Sequence, residues 1–133
     1  MKKIGFVNGC FDVLHIGHIR MLDFAKSLCD HLIVGIDSDS RVKQLKGSSR
    51  PINDEYDRKE FLLSLQAVDG VIIFNSEDEL INLIKRLQPD IMVVGSDYRD
   101  KRVIGSEHAK QLIFFNRIKG YSTSKIVEGS GSR

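Results

Sequence analysis

Five short runs of β-branched and aliphatic residues, separated by stretches of helical periodicity, limit this chain more than any other feature. Lys3 to Val7 leads into Asn8-Gly9; Leu32 to Ile36, Val71 to Phe74, Ile91 to Val94 and Leu112 to Phe115 follow. Each is apolar along nearly its whole length, which is the pattern of a parallel strand covered on both faces. Met21, Leu22, Ala25 and Leu28 recur at helical spacing after Gly17. Asp37 to Ser40 offers a choice of N-caps for a short helix through Leu45. Residues 46–51 read as a loop, because Pro51 disfavours helix at the residue before it. Asn53 or Asp54 caps a helix with Phe61, Leu62 and Leu65 on its core face, and Leu80 to Leu87 mark another that Pro89 closes. Ser122 opens a final short helix. Strands alternating with helices predict a single α/β domain built on a doubly wound, five-stranded parallel sheet. Ligands of such sheets bind outside the carboxyl ends of the strands, where the strand order reverses.

The 133 residues suffice for one core and not two. The longest apolar runs, such as Val71 to Phe74, fall far short of the roughly 20 residues of a membrane helix. Met1 to Phe6 has a charged start without a long apolar stretch and reads as a first strand, so the expected location is the cytoplasm. A net charge of +2, with both signs interleaved, argues against a nucleic-acid partner. Cys10 and Cys29 lack metal-ligand spacing and read as reduced thiols. Gly129 to Arg133 is Gly/Ser-rich and reads as a flexible tail or cloning remnant, leaving residues 1–128 as the domain.

The chemistry concentrates in Gly9-Cys10-Phe11-Asp12-Val13-Leu14-His15-Ile16-Gly17-His18, at the end of the first strand. Gly17 lets a phosphate approach the backbone, and a helix N-terminus supplies free N–H donors with partial positive charge. Two imidazoles there can donate hydrogen bonds to phosphate oxygens as charge builds in a transition state. A metal site is the rival reading and needs a third ligand, which Asp12 could supply. The plain alternative is that both histidines cap or pack against the helix start.

This segment resembles the HxGH signature of the nucleotidylyltransferase superfamily, in the branch of the small cytidylyltransferases. Gly120-Tyr-Ser122-Thr123-Ser-Lys-Ile126 resembles that superfamily's second signature. The middle segments are most similar to the adenylyltransferase domain of ADP-heptose synthases: Asp37 to Asp39, Lys43-x-x-Lys46-Gly47-x-x-Arg50-Pro-Ile-Asn53, Gln66 to Asp69, and Gly95-Ser-Asp97-Tyr98 followed by Ile104 to Glu107. Glycerol-3-phosphate cytidylyltransferases share the end motifs and match this middle less well. Such synthases often carry a sugar kinase domain on the same chain, and these 133 residues hold no counterpart of it.

The resemblance implies a Rossmann-like nucleotidylyltransferase domain, Mg²⁺, and a homodimer. His15 and His18 would contact the nucleotide phosphates. Gly9, Phe11 and Gly17 would shape the loop around the triphosphate, and Asp12 would order it. Lys46 would neutralise the triphosphate or the acceptor phosphate, and Arg58 would hold the acceptor phosphate. Asp97 would face ribose or base, Arg117 the leaving phosphates, and Ser122 and Thr123 would bind those phosphates from a second helix N-terminus. No protein metal ligands are assigned. Lys43 and Arg50 share the Gly/Ser loop region with Lys46, and which of the three meets a ligand stays open; Lys85-Arg86 and Lys101-Arg102 read as solvated faces.

The implied reaction joins a nucleoside monophosphate to a small phosphorylated acceptor. No side chain needs to be the nucleophile, because the acceptor phosphate is one; catalysis reduces to in-line positioning and neutralisation of charge. ATP with heptose 1-phosphate is the first expectation, implied by the resemblance of the middle segments, and small residues at Gly95 and Ser96 also leave room for a purine. CTP with glycerol 3-phosphate is the alternative, and a nucleotide-binding module without turnover is a third.

Overall fold

The computed structural model describes residues 2–116, which form one five-stranded parallel sheet with helices on both faces. In chain order the elements are β1 (Ile4–Gly9), α1 (Ile16–Ser27), β2 (His31–Asp37), α2 (Asp39–Lys46), α3 (Glu55–Leu63), β3 (Gly70–Phe74), α4 (Glu77–Leu87), β4 (Ile91–Gly95) and β5 (Gln111–Phe115). The strands lie in the order β3-β2-β1-β4-β5, all parallel. The expected helix opening at Ser122 lies outside the described residues.

Adjacent residues of a strand face opposite sides of the sheet, so a strand buried on both faces must supply two cores. Val7, Ile36 and Val93 join Leu22 and Ala25 of α1 and Leu62 of α3 on one side. Phe6, Phe74 and Met92 join Leu80, Leu83 and Ile84 of α4 on the other. Short polar side chains set the helix starts. Ser38 caps α2, Asp54 caps α3 and Ser76 caps α4, each accepting a backbone N–H of the first turn. Gln88, in the left-handed conformation, closes α4 one residue before Pro89. Phe61 departs from its expected place in the core and is 49% exposed. The buried stripe of α3 runs from Arg58 to Leu62, and Phe61 projects about 100° away from Leu62.

Candidate active site

The strand order reverses at β1, whose neighbours β2 and β4 belong to opposite halves of the sheet. A cavity of about 570 Å³ opens above this point, lined by the end of β1, the start of α1, Asp37, the inner face of α2 and the segment from β4 to Ile104. The end of β3, at Phe74-Asn75, is not part of its wall.

His15 is the N-cap of α1. Its Nδ1 accepts from the N–H of Gly17 at 3.1 Å and of His18 at 3.4 Å, while His18 Nδ1 accepts from the His15 N–H at 3.3 Å. The two imidazoles thus form a reciprocal capping box, a task usually given to hydroxyl and carboxylate side chains. Capping and phosphate binding therefore do not compete. With Nδ1 accepting, a neutral imidazole carries its proton on Nε2, an assignment that follows from the hydrogen-bond pattern. The rings stack with centroids 3.7 Å apart, and Phe11 meets His18 edge-on at 5.0 Å. Phe11 itself has φ +50°, and a Cβ on Gly9 would come within 3.0 Å of its ring. Glycine at position 9 is what allows the ring to fold back beneath the histidines.

Asp12 is buried, and its bonds run to residues 50–53. Its carboxylate accepts from the N–H groups of Ile52 and Asn53 at 2.8 and 2.9 Å and from Arg50 Nε at 3.0 Å. Asn53 Nδ2 returns a bond to the Asp12 carbonyl at 2.7 Å. Burial alone would raise the Asp12 carboxyl, but the two amides and the guanidinium outweigh it and hold it below the usual carboxylate range. Asp12 therefore orders the loop after β1 by tying it to residues 50–53, and it is not the third ligand that a metal reading requires.

Arg58 corrects its expected contact with the acceptor phosphate. The side chain has no solvent exposure. It donates to the carbonyls of Asn53 (3.0 Å), Cys10 (3.0 Å) and Asp37 (2.7 Å), and to the Asp39 carboxylate (2.8 Å). A guanidinium spent on three backbone carbonyls lies under the site floor and fixes the ends of β1 and β2 relative to each other. Its pairing with Asp39 supplies the charge balance that a buried cation needs.

The three basic residues grouped with the Gly/Ser loop, Lys43 and Lys46 in the last turn of α2 and Arg50 after it, separate cleanly. Lys46 lines the cavity, Lys43 lines a shallow hollow elsewhere with Asp39, Asp54 and Asp57, and Arg50 is buried against Asp12. Gly9, Phe11, Gly17, His15, His18 and Asp97 share the cavity with Lys46. Tyr98 is there too, 45% exposed, with Lys101 Nζ 5.5 Å from its ring centroid. Arg102, expected on a solvated face, stands at the cavity wall while pairing weakly with Glu77 at 3.5 Å. Arg41 also lines the cavity, a place that sequence reasoning does not assign to it, although its position four residues after a strand-end aspartate is a usable signal. Arg117, Ser122 and Thr123 lie outside the described residues.

Among the described residues no three His, Cys, Asp or Glu side chains are grouped to hold a metal ion. Asp97 and Asp37 are the carboxylates that those residues place on the cavity wall. This donor set fits a Mg²⁺ carried by a triphosphate, which keeps its waters and needs one or two carboxylates at most.

Fold, reversal point and histidine-capped helix together define a Rossmann-like α/β domain with a helix start suited to phosphate. The chain belongs to the cytidylyltransferase-like family, whose model matches residues 6–129. It is 53% identical over 127 residues to the bifunctional protein HldE of a Nitratiruptor species, and 54% identical over 127 residues to that of Helicobacter pylori. Each match covers 96% of this chain and 27% of the relative, so the chain spans about a quarter of their length. The lipopolysaccharide core biosynthesis protein of Thermoplasma volcanium superposes with a TM-score of 0.73 at 26% identity, over 90% of this chain and all of the other. These relatives bear out the likeness to ADP-heptose synthases carried by the middle segments.

Proposed function

We propose that this chain transfers the nucleoside monophosphate of an NTP, ATP in the first place, to a sugar phosphate of the heptose 1-phosphate type. An acceptor phosphate oxygen attacks the α-phosphorus, the bond to the bridging oxygen of the β-phosphate breaks, and pyrophosphate leaves. The observation that carries this reading is the pair of imidazoles capping α1 above the reversal point. Both keep Nε2–H as donor while the helix start adds its partial positive charge, an arrangement suited to the charge that grows on phosphate oxygens. Lys46, lining the same cavity, neutralises phosphate, and Asp97 faces the ribose or base. Arg117, Ser122 and Thr123 complete the hold on the leaving phosphates. Asp12 and Arg58 act indirectly, by fixing the loop after β1.

Asp97 is the residue that would help hold a Mg²⁺ brought in with the nucleotide, and that ion would supply charge neutralisation at the phosphates. The working form is a homodimer in the cytoplasm, with neither nucleic acid nor membrane as a partner. The test is pyrophosphate release with ATP and with CTP against heptose 1-phosphate and glycerol 3-phosphate. ATP with the sugar phosphate is the expected best pair, and ATP raises the melting temperature more than CTP at equal concentration with Mg²⁺. Preference for CTP and glycerol 3-phosphate in both measurements replaces the substrates and leaves the phosphate-handling residues in place. Nucleotide binding without turnover on any acceptor returns the chain to a binding module.

A further inference from the structure

We propose that Asp37 and Arg41 read the hydroxyl groups of the acceptor while Lys46 takes its phosphate, so that the acceptor is a polyhydroxylated phosphate. This inference rests on the nucleotidyl-transfer reading and adds to it the residues that select the acceptor.

Asp37 ends β2 and Arg41 lies one turn into α2; both line the cavity, on the side of β1 away from β4. Arg41 Nε donates to Asp37 Oδ1 at 2.8 Å, and the two side chains are 15% and 13% exposed. The guanidinium carbon sits 5.7 Å from the centroid of the Phe74 ring. An ion pair and an aromatic neighbour thus hold the guanidinium in place before any ligand arrives. Only Nε is spent. The two terminal amino groups of Arg41 and the second oxygen of Asp37 have no hydrogen-bond partner among the described residues.

A fixed pair of this kind presents donors and an acceptor side by side with its charge nearly cancelled. A hydroxyl both donates and accepts, so it satisfies both halves. A phosphate only accepts, and the Asp37 carboxylate repels it. Lys46 is the complement: it lines the same cavity and has no carboxylate partner among the described residues. Its ammonium also lies close enough to Cys10 to oppose the burial that pushes that thiol up, which puts the charge beside the loop that carries the histidines. The anion then goes to Lys46, next to the reacting phosphates, and the hydroxyls go to Asp37 and Arg41.

The test is steady-state pyrophosphate release by the wild type, Arg41→Gln, Arg41→Lys, Asp37→Asn and the double variant Asp37→Asn/Arg41→Gln. The acceptors are hexose and heptose 1-phosphates and glycerol 3-phosphate. Arg41→Gln and Asp37→Asn should each raise KM for a sugar phosphate roughly tenfold, the scale of hydrogen bonds lost to a charged group, with KM for the NTP within about twofold. The double variant should lose less than the product of the two, because the pair acts as a unit. Arg41→Lys keeps the charge without the planar fork and should raise the sugar-phosphate KM as well. An unchanged melting shift with NTP alone identifies variants whose nucleotide side is intact. Among those variants, an unchanged sugar-phosphate KM, or an NTP KM that rises equally, overturns the proposal. A wild type that uses glycerol 3-phosphate and ignores every sugar phosphate also overturns it, with nucleotidyl transfer left standing. A wild type inert toward every acceptor overturns both.

Discussion

His15 does two jobs with two different nitrogens, and a substitution can separate them. Asn is among the best N-caps, so His15→Asn keeps an oxygen acceptor for the N–H groups of Gly17 and His18 and loses the Nε2 donor. The melting temperature should stay close to wild type while turnover falls roughly a hundredfold, the scale of one preorganised donor. His15→Ala should lose the same turnover and about 1 kcal/mol of stability besides. Equal melting losses in the two variants would mean that the cap contributes nothing. Asp12 is a second residue whose weight can be read directly, through pH. Its carboxyl is held below the usual value near 4, so the ionised form favours the folded state. The sign follows: this stabilisation is fully present above about pH 5 and disappears as pH falls through the lowered value. Asp12→Asn should therefore melt well below wild type at pH 7, and the gap should narrow steadily below about pH 4. Asp69, lowered in the same direction by Lys26 and the Leu32 N–H despite its burial, titrates in both proteins and cancels in the comparison. A gap independent of pH would show that Asp12 acts through shape and not charge.

The segment between β4 and β5 forms one wall of the cavity and packs against α4 at a tight turn. Gly105 has φ +78°, and an added Cβ would lie 2.5 Å from Ile84 Cδ1 on α4. Gly105→Ala is both strained and crowded, and should cost about 1–3 kcal/mol. Because Val103 and Ile104 line the cavity just before this turn, the variant should also weaken the melting shift produced by NTP. Lost stability with an undiminished shift would dissociate the turn from the site. Elements of this kind mark the boundary of what is legible in the sequence. All five strands, the helices α1 to α4, and the cluster of His15, Gly17 and His18 can be read because each depends on neighbours a few residues away. The tie from Asp12 to Arg50, Ile52 and Asn53 cannot, since those partners are 38 to 41 residues off and meet only when the sheet is assembled. Arg58 does leave a local trace: it precedes Leu62 by four residues and so shares its buried face. An arginine at a core position is tolerated only where carbonyls and a carboxylate await it, and those come from three other segments. The same stripe explains Phe61, which lies off that face and stays exposed.

At the scale of the molecule, that exposure bears on the proposed homodimer. Tyr56, Phe61 and Leu63 on α3 are 71%, 49% and 44% exposed, and Ile72 on β3 is 39% exposed. Among the described residues β3 is an edge of the sheet and α3 packs against it, with Phe61 and Leu63 on the two flanks of its buried stripe and Ile72 on the sheet face opposite α3, so exposed apolar groups surround this border on both faces. A lone domain that leaves both uncovered invites association. A two-fold pair formed along this border buries it twice in one contact, and that closed arrangement suits a homodimer better than an open chain of subunits. The cavity lies at the carboxyl ends of β1 and β4, toward the middle of the sheet, so pairing at the β3 border leaves its entrance clear. The expected result is a dimer by light scattering at micromolar concentration, and a monomer for Phe61→Asp. That variant places a charge on the exposed flank of α3 without touching the buried stripe of Arg58 and Leu62, so its secondary structure and the NTP-induced melting shift should be retained. A Phe61→Asp protein that remains dimeric moves the interface to the other side of the sheet, and a monomeric wild type removes the dimer altogether.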